Sequence, residues 1–228
     1  YIDDKEILDH FNALKKDGIL VIKNFLDRKS LDEIESFYHS SNLENKISLN
    51  KFRLRGADYL DGNLSENLPK TFSFISGNKI IKHLPKLYLG NTAENQHWRL
   101  KFIKDVPEMK DENCNNHSDT FHNTLKIWIY LEDIEKDEDT LKYWKKSHLP
   151  NDVLDKYRIK KLVEGVGSPR AENQMMESLR FNLFNEKIKK NTLVMADTSG
   201  FHYRNFARGK ELWRGTIFTS IRINPFFN

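Results

Sequence analysis

Apolar residues recur along this chain at two different periods, and the change between them falls near residue 90. In the first part the spacing is helical: Ile7, Leu8, Phe11 and Leu14 recur three or four residues apart and predict a helix that Gly18 ends. From residue 96 onward apolar and polar residues alternate, which is the period of a strand with one buried face. The pattern therefore predicts helices first and β-structure after them.

The residues after the first helix predict a strand, a second helix and a long excursion. Ile19–Phe25 is a short apolar run that favours a strand. Ser30 opens a capping box in which Glu33 reaches back, so we expect a helix with Ser30 as its N-cap. Asn42–Asn67 is polar and has no clear period, which predicts an irregular segment with one strand near Lys51–Leu54. A segment of that length is a candidate lid over a polar substrate.

The second part of the chain predicts an antiparallel β-structure. The alternating segments lie around residues 98–102, 125–131, 179–183, 192–196 and 213–223. Asn151–Arg158 is expected to form a helix between them. Short strands separated by turn residues are typical of a sandwich or barrel. We therefore predict a mainly β fold with flanking helices (α+β), in one domain over residues 1–228, with residues 1–90 as a helical N-terminal elaboration and residues 96–228 as the β core.

The last predicted strand has two faces of different chemistry. One face carries Trp213, Ile217, Ile221 and Ile223, and we expect it to pack against the N-terminal helices. The other face carries the mixed set Arg214, Thr216, Phe218, Ser220 and Arg222. Small barrels that enclose a ligand present such a mixed face to their interior. This second face is therefore expected to line a ligand cavity.

Composition narrows the class of protein. Charged residues make up 31% and apolar residues 38% of the 228 residues, and no apolar run is long enough to span a bilayer. The formal net charge of +4 is mild, and no nucleic-acid-binding motif is present, so we expect a small-molecule substrate and no nucleic acid. Cys114 is the single cysteine, which excludes an internal disulfide and fits a cytoplasmic protein. Nothing in the sequence sets the oligomeric state.

Three residues have the chemistry of a metal site. His117 and Asp119 are two positions apart, so on a strand they would project from the same face. His202 follows a predicted strand and a glycine turn, a common place for a ligand at a barrel mouth. Two imidazoles and one carboxylate can hold one face of Fe(II) and leave other positions open. Each residue alone also has an ordinary reading, as part of a surface turn or loop.

Arg214 is a candidate to bind a carboxylate ligand beside the predicted metal site. It lies on the inward face of the last strand, and a buried arginine needs an anionic partner. The distal carboxylate of 2-oxoglutarate would be such a partner, and Thr216 could donate its hydroxyl to the same group. The alternative is an internal salt bridge between Arg214 and an Asp or Glu. Arg204 and Arg208 lie in the predicted turn after His202 and are weaker candidates.

Three segments resemble the phytanoyl-CoA dioxygenase-like family. They are Phe11–Leu26, His117–His148 and His202–Thr216. The resemblance implies a double-stranded β-helix (jelly-roll or cupin-like) that binds Fe(II), 2-oxoglutarate and O2. It places the metal on His117, Asp119 and His202, and the cosubstrate on Arg214.

The chain departs from the family pattern at two places. Lys146 stands where the family has a glycine before Ser147-His148, and the acidic run Glu135–Asp139 replaces a glycine-bearing turn. Neither departure touches the expected metal ligands, but both leave the substrate open. Near the site, Trp128 is either a cavity residue or ordinary core, and His148 is expected to brace a loop.

The leading functional hypothesis is an Fe(II)- and 2-oxoglutarate-dependent dioxygenase that hydroxylates a small molecule or a sugar- or lipid-derived metabolite, with release of succinate and CO2. One alternative is a non-catalytic jelly-roll domain that binds a metal or a carbohydrate. Another is an enzyme that uses the same three ligands without 2-oxoglutarate; Arg214 counts against it.

Overall fold

The structure, a computed structural model, describes residues 4–39, 43, 48–54, 57–90, 97–106, 114–135, 140–165, 168–205 and 213–222. The helices are α1 (Lys5–Asp17), α2 (Arg28–His39), α3 (Leu64–Asn67), α4 (Pro69–Gly77), α5 (Lys79–Leu89), α6 (Asp152–Val163) and α7 (Asn173–Ser178). The strands are β1 (Ile19–Lys23), β2 (Asn50–Leu54), β3 (Ala57–Asn63), β4 (Arg99–Asp105), β5 (Thr124–Tyr130), β6 (Leu141–Trp144), β7 (Leu183–Phe184), β8 (Thr192–Asp197), β9 (His202–Arg204) and β10 (Arg214–Arg222). None of the helices described is long and apolar enough to cross a membrane.

Two antiparallel sheets form the β-structure. The larger has the strand order β1-β8-β5-β10-β4-β3-β2, and the smaller has the order β7-β6-β9. The larger sheet takes β1, β2 and β3 from the first ninety residues, which the sequence analysis treats as a helical elaboration. That boundary stays a prediction, whereas the mainly β fold with flanking helices is confirmed.

The N-terminal helices cover the outer face of the larger sheet. One buried cluster joins the helices to the strands; it includes Leu14, Ile34, Ile75, Leu84, Phe102, Ile127 and Ile217. Leu125, Ile127 and Ile129 of β5 are fully buried on this side, as the alternation predicts. Burial of apolar surface is the main favourable term in folding, so this face fixes how the sheet is oriented. The opposite face of the sheet is left to form a cavity.

Helix α1 ends before Gly18, as predicted, and Asp4 caps its start. Asp4 accepts a hydrogen bond from the backbone N–H of Glu6 (3.1 Å) at the start of the helix. Gly18 takes a left-handed conformation (φ 76°) at the end, and its N–H donates to the carbonyl of Leu14 (2.7 Å). Glycine adopts this conformation without steric cost. The chain then turns directly into β1.

The predicted capping box of α2 is wrong. The helix begins at Arg28, and Asp27 rather than Ser30 accepts at its start, from the N–H of Ser30 (2.9 Å). The Glu33 carboxylate does not reach back. It accepts from the N–H groups of Lys70 (3.0 Å) and Thr71 (2.8 Å), and so satisfies the first turn of α4. The Glu33 carboxylate therefore makes a tertiary contact with α4 in place of the local contact that the capping box predicts.

The polar segment 42–67 is more regular than predicted. The strand expected near residues 51–54 is present as β2, but β3 and α3 follow it, and β2 and β3 form the edge of the larger sheet. Ala57, Leu60 and Leu64 are buried, so the segment contributes to the core. Residues 40–42, 44–47 and 55–56 lie outside the described residues, and the proposed role of the segment as a lid stays a prediction.

The strand predicted at residues 179–183 is mostly wrong. Helix α7 ends at Ser178, a turn with Arg180 at φ 60° follows, and the strand pairing is confined to Leu183–Phe184. The alternating apolar residues pack instead against a small cluster around Trp144, Leu154 and Phe201. The helix expected at residues 151–158 is confirmed as α6, which begins one residue after its N-cap, Asn151.

The two faces of β10 are confirmed. Ile217, Thr219 and Ile221 are buried toward the helices, while Arg214 and Thr216 line the cavity on the other side. Ile223 lies outside the described residues, as does most of the acidic run at residues 135–139. The inward face therefore carries the arginine that the sequence analysis singled out.

Candidate metal centre

The structure brings His117, Asp119 and His202 together. One possible ligand atom from each residue lies within 4.8 Å of the other two. His117 Nε2 is 3.8 Å from Asp119 Oδ1, and His202 Nε2 is 3.7 Å from Asp119 Oδ2. In the described ranges no other group of three His, Cys, Asp or Glu residues converges in this way. His122, although close in sequence, is not part of the group.

Backbone hydrogen bonds hold the three residues in register. The N–H of His117 donates to the carbonyl of His202 (2.9 Å), and the N–H of His202 donates back to His117 (2.8 Å). The N–H of Asp119 donates to the carbonyl of Thr198 (2.9 Å), just after β8. The segment that carries His117 and Asp119 is therefore tied on one side to β9 and on the other to the turn that leads into it. Ligands fixed by their backbones need little reorganisation to meet one ion.

A hydrogen bond at Nδ1 sets the tautomer of each imidazole. The carbonyl of Asn115 lies 2.7 Å from His117 Nδ1, and the carbonyl of Gly200 lies 3.0 Å from His202 Nδ1. A carbonyl can only accept, so each Nδ1 carries the hydrogen and each Nε2 presents its lone pair. Both Nε2 atoms face Asp119. This is the arrangement by which metal-binding histidines are usually oriented.

The electrostatics keep these groups in the protonation states that a metal requires. Burial lowers the pKa of His117, and it lowers the pKa of His202 to about 3, so both imidazoles are neutral at pH 7. Burial alone would raise the pKa of Asp119. The positive charge that His202 carries when it is protonated and the ammonium of Lys126 outweigh it and hold that pKa below its usual range. At pH 7, where His202 is neutral, the positive charge that faces Asp119 is that of Lys126. The site thus offers two neutral nitrogens and one ionised carboxylate.

Lys126 is part of the site and was missed by the sequence analysis. Its Nζ lies 2.6 Å from Asp119 Oδ2, in a pair whose side chains are 18% and 14% exposed. The signal for it was available, because Lys126 alternates with Trp128 and Tyr130 on the face of β5 opposite the buried leucine and isoleucines. That alternation would have placed it in the cavity.

A cavity of about 190 Å³, which opens to solvent, lies beside the three residues. It is lined by Tyr59, Lys101, Ile103, His117, Lys126, Trp128, Tyr130, Ile134, Leu141, His202, Tyr203, Arg204, Arg214, Gly215, Thr216 and Phe218. The apolar and aromatic members come mostly from the larger sheet. Trp128 is thus a cavity residue, one of the two positions that its sequence allowed. The cavity also reaches both Arg214 and Thr216.

Arg214 has an internal partner in the structure. Its Nη2 lies 3.0 Å from Oδ2 of Asp105, and Arg204 Nη2 lies 2.5 Å from the other oxygen of the same carboxylate. Asp105 is buried at the end of β4 and was not singled out from the sequence. Arg204 lies in β9 and lines the cavity, so its assignment to a turn was wrong; Arg208 lies outside the described residues. The shared carboxylate orients both guanidinium groups.

The expected Ser147-His148 element braces the turn after β6. His148 Nε2 lies 3.1 Å from the carbonyl of Lys15 at the end of α1, and Ser147 Oγ accepts from the N–H of Phe201 (2.7 Å). Lys146 has φ 69°, which explains why a glycine suits this position. The bracing role expected of His148 agrees with these contacts. Phe201 directly precedes His202, so the hydrogen bond from Phe201 to Ser147 also holds the segment that leads into this candidate ligand.

Comparison with known proteins identifies the fold. By sequence, no protein-family model and no curated protein matches the chain. Solved structures match over most of its length, at 12–14% identity.

Three of these structures illustrate the match. They are the α-ketoglutarate-dependent epimerase SnoN from nogalamycin biosynthesis (TM-score 0.62, 12% identity, 94% of this chain and 82% of that one), EctD from S. alaskensis with bound Fe (TM-score 0.65, 14% identity, 96% and 78%), and HygX from Streptomyces hygroscopicus with nickel and 2-oxoglutarate bound (TM-score 0.55, 14% identity, 95% and 87%). The chain therefore has the double-stranded β-helix fold of these proteins.

Proposed function

We propose that the chain is an Fe(II)- and 2-oxoglutarate-dependent oxygenase of the phytanoyl-CoA dioxygenase-like kind, and that it hydroxylates a small molecule with release of succinate and CO2. One observation carries the proposal: His117, Asp119 and His202 converge beside a cavity that Arg214 and Thr216 also line. Among the similar structures, EctD contains Fe, HygX contains nickel and 2-oxoglutarate, and SnoN is an α-ketoglutarate-dependent epimerase.

The donor set fits Fe(II). Two imidazole nitrogens and a carboxylate oxygen are the ligands of non-haem iron oxygenases, and three protein ligands leave positions open for other molecules. The hydrogen bonds from Nδ1 of His117 and His202 fix the lone pairs on Nε2 toward Asp119. The low pKa of each imidazole removes competition by protons near neutral pH.

Arg214 and Thr216 would hold the cosubstrate. A planar guanidinium binds a carboxylate through two parallel hydrogen bonds, and a hydroxyl two residues along the same strand face can add a third. Asp105 fixes the direction of Arg214 from the side of β4. Bound together, Fe(II) and 2-oxoglutarate would supply the oxidising chemistry, and the protein would orient them and limit the access of water. Trp128, Ile134 and Leu141 supply apolar lining for that purpose.

One observation favours a different function. The ion pair between Arg214 and Asp105 is the internal salt bridge that would suit a metal-binding jelly-roll domain without a cosubstrate. Arg214 nevertheless lines the cavity, where a ligand could reach it. Binding of 2-oxoglutarate decides between the two functions.

The test is an anaerobic titration of the protein with Fe(II) and 2-oxoglutarate, followed in the visible range. A keto acid chelated to ferrous iron gives a weak band near roughly 500 nm. We expect the band in the wild type and in Arg222→Met, a matched control because Arg222 is exposed on the same face of β10. His202→Ala should lose both metal and band, whereas Arg214→Met should keep the metal and lose the band. Metal binding without a band in the wild type would support the jelly-roll domain instead.

A further inference from the structure

Two lysines enter the cavity from strands on either side of β10. Lys101 of β4 is paired in register with Thr216, and Lys126 of β5 is paired with Ser220. Phe218 lies between those two positions on β10, and the Nζ of Lys101 is 4.1 Å from the centre of its ring. The two lysines therefore lie on the two strands that flank β10, opposite the positions before and after Phe218 on the inward face of the sheet.

The amine of Lys101 lies in an environment that favours an anion. Within the ranges that the structure describes, no carboxylate lies within 4 Å of it, and Asp61, the carboxylate that acts on its pKa, forms an ion pair with Arg99 at 2.9 Å. Lys101 is half-buried, and burial together with the positive charge of Lys126 lowers its pKa despite the opposing effect of Asp61. A partly buried charge without an ion-pair partner is costly, and an anionic ligand would relieve that cost.

Lys126 has a partner that the proposed metal would share. Its ammonium lies 2.6 Å from Asp119, and Asp119 is one of the three proposed iron ligands. A divalent cation and Lys126 compete for the same carboxylate charge. Metal binding would therefore leave Lys126 less well neutralised than it is in the metal-free protein, and more attractive to a second anion.

We infer that Lys101 and Lys126 form the binding site for an acidic group of the substrate, a carboxylate or a phosphate. The inference rests on the proposed function, since the metal centre is what makes this cavity the substrate's cavity. The inferred site adjoins the one proposed for 2-oxoglutarate, because Lys101 is the cross-strand neighbour of Thr216, but its charged groups lie farther from Arg214 along β10. Lys101 Nζ lies over Phe218, which is on the side of Thr216 away from Arg214, and Lys126 is at the level of Ser220, farther along the same strand.

The test uses sulfate and acetate as probes of the phosphate and the carboxylate. Each is titrated by calorimetry, at constant ionic strength, into anaerobic protein loaded with Fe(II) and 2-oxoglutarate. We expect saturable binding in the wild type and a loss of about tenfold in affinity in Lys101→Met, the usual scale of one charge-assisted contact. Lys126→Met should weaken binding similarly. Preference for sulfate would indicate a phosphate in the substrate, and preference for acetate a carboxylate.

Lys104→Met is the matched control. Lys104 lies on the same strand, and its amine also lies over an aromatic ring, that of Trp213, but it does not line the cavity. We expect its anion affinity to equal that of the wild type. Equal affinity in wild type and Lys101→Met would overturn the inference, as would weaker 2-oxoglutarate binding in Lys101→Met with unchanged sulfate and acetate binding.

The failure of this inference is distinguishable from the failure of the proposed function. If the wild type gives no charge-transfer band, the oxygenase is refuted, but the titrations can be repeated on the protein without cosubstrate. A loss of anion binding in Lys101→Met would then still identify an anion site. If the band forms and no anion binds, the proposed oxygenase function is supported and the inferred site for an acidic group of the substrate is refuted.

Discussion

Replacing Lys126 should tighten metal binding at the proposed site, although this residue is not one of the three proposed ligands. The ammonium of Lys126 lies 2.6 Å from Oδ2 of Asp119, and both side chains are mostly buried. A bound cation must displace this ion pair or share it. A hydrogen bond to a charged group contributes about 1.5–3 kcal/mol, which corresponds to about 10- to 150-fold in a dissociation constant. Lys126→Met removes that competition and leaves the buried carboxylate dependent on the metal.

The assay is competition between the protein and a chromophoric chelator for Zn(II) or Co(II), which avoids oxidation. We expect the dissociation constant of Lys126→Met to fall by about 10- to 150-fold below that of the wild type, since the ion pair contributes at the scale given above. Lys101→Met is the control, because Lys101 makes no ion pair with the ligands, and its affinity should change little. His117→Ala gives the dissociation constant that is expected when one proposed ligand is removed. Metal binding in Lys126→Met that is equal to the wild type, or weaker, would refute the view that the lysine competes with the metal.

Three further predictions concern stability and can be measured by thermal or denaturant unfolding. Lys146→Gly should raise the free energy of unfolding by about 1 kcal/mol, because Lys146 has φ 69°, whereas Lys145→Gly should lower it; a gain in both variants would contradict the argument. Gly200→Ala should cost about 1–3 kcal/mol, since its methyl group would overlap the hydroxyl of Tyr143, and Tyr143→Phe should recover part of the loss. Burial lowers the pKa of His148 below 6.5, so as the pH falls below about 6.5 the unfolded state binds more protons than the folded state and the free energy of unfolding decreases. His148→Gln should make that decrease smaller between pH 7 and 5. An unchanged dependence of the free energy of unfolding on pH would exclude His148 as a contributor.

The parts of the fold that followed from the sequence are those where a local pattern and the burial agree. Helix α1 has an apolar stripe in which Ile7 and Leu14 are buried, an aspartate that caps its start and a glycine that ends it. Strand β10 alternates, and its two faces meet the helices and the cavity as expected. In such segments the same residues satisfy the backbone and bury the apolar surface, so no distant contact changes the outcome.

The errors arose where a distant contact took over a local signal. Glu33 was assigned to its own helix but satisfies the first turn of α4, because the backbone N–H groups of Lys70 and Thr71 lie within its reach. Leu179 and Phe181 alternate as in a strand, yet they pack beside a cluster formed by other elements. Strand β3 was missed because its pairing with β4 compensates for a sequence rich in polar residues. A short sequence window contains none of this information.

The site shows the same limit at a finer scale. The spacing of His117 and Asp119 and the glycine turn before His202 indicated which residues meet, because ligand types and strand period are local properties. The contacts that tune them depend on tertiary structure: Asp105 reaches Arg214 from β4, and Lys126 reaches Asp119 from β5. The first depends on the register of β4 and β10, which sequence alone does not give. The alternation of β5 places Lys126 in the cavity, but its contact with Asp119 depends on how the segment before β5 folds back, with Asp119 bonded to Thr198. Both contacts belong to one feature, an inward face of the sheet that brings cations to the buried carboxylates. The binding of metal, cosubstrate and substrate should therefore depend on how that charge is divided among them.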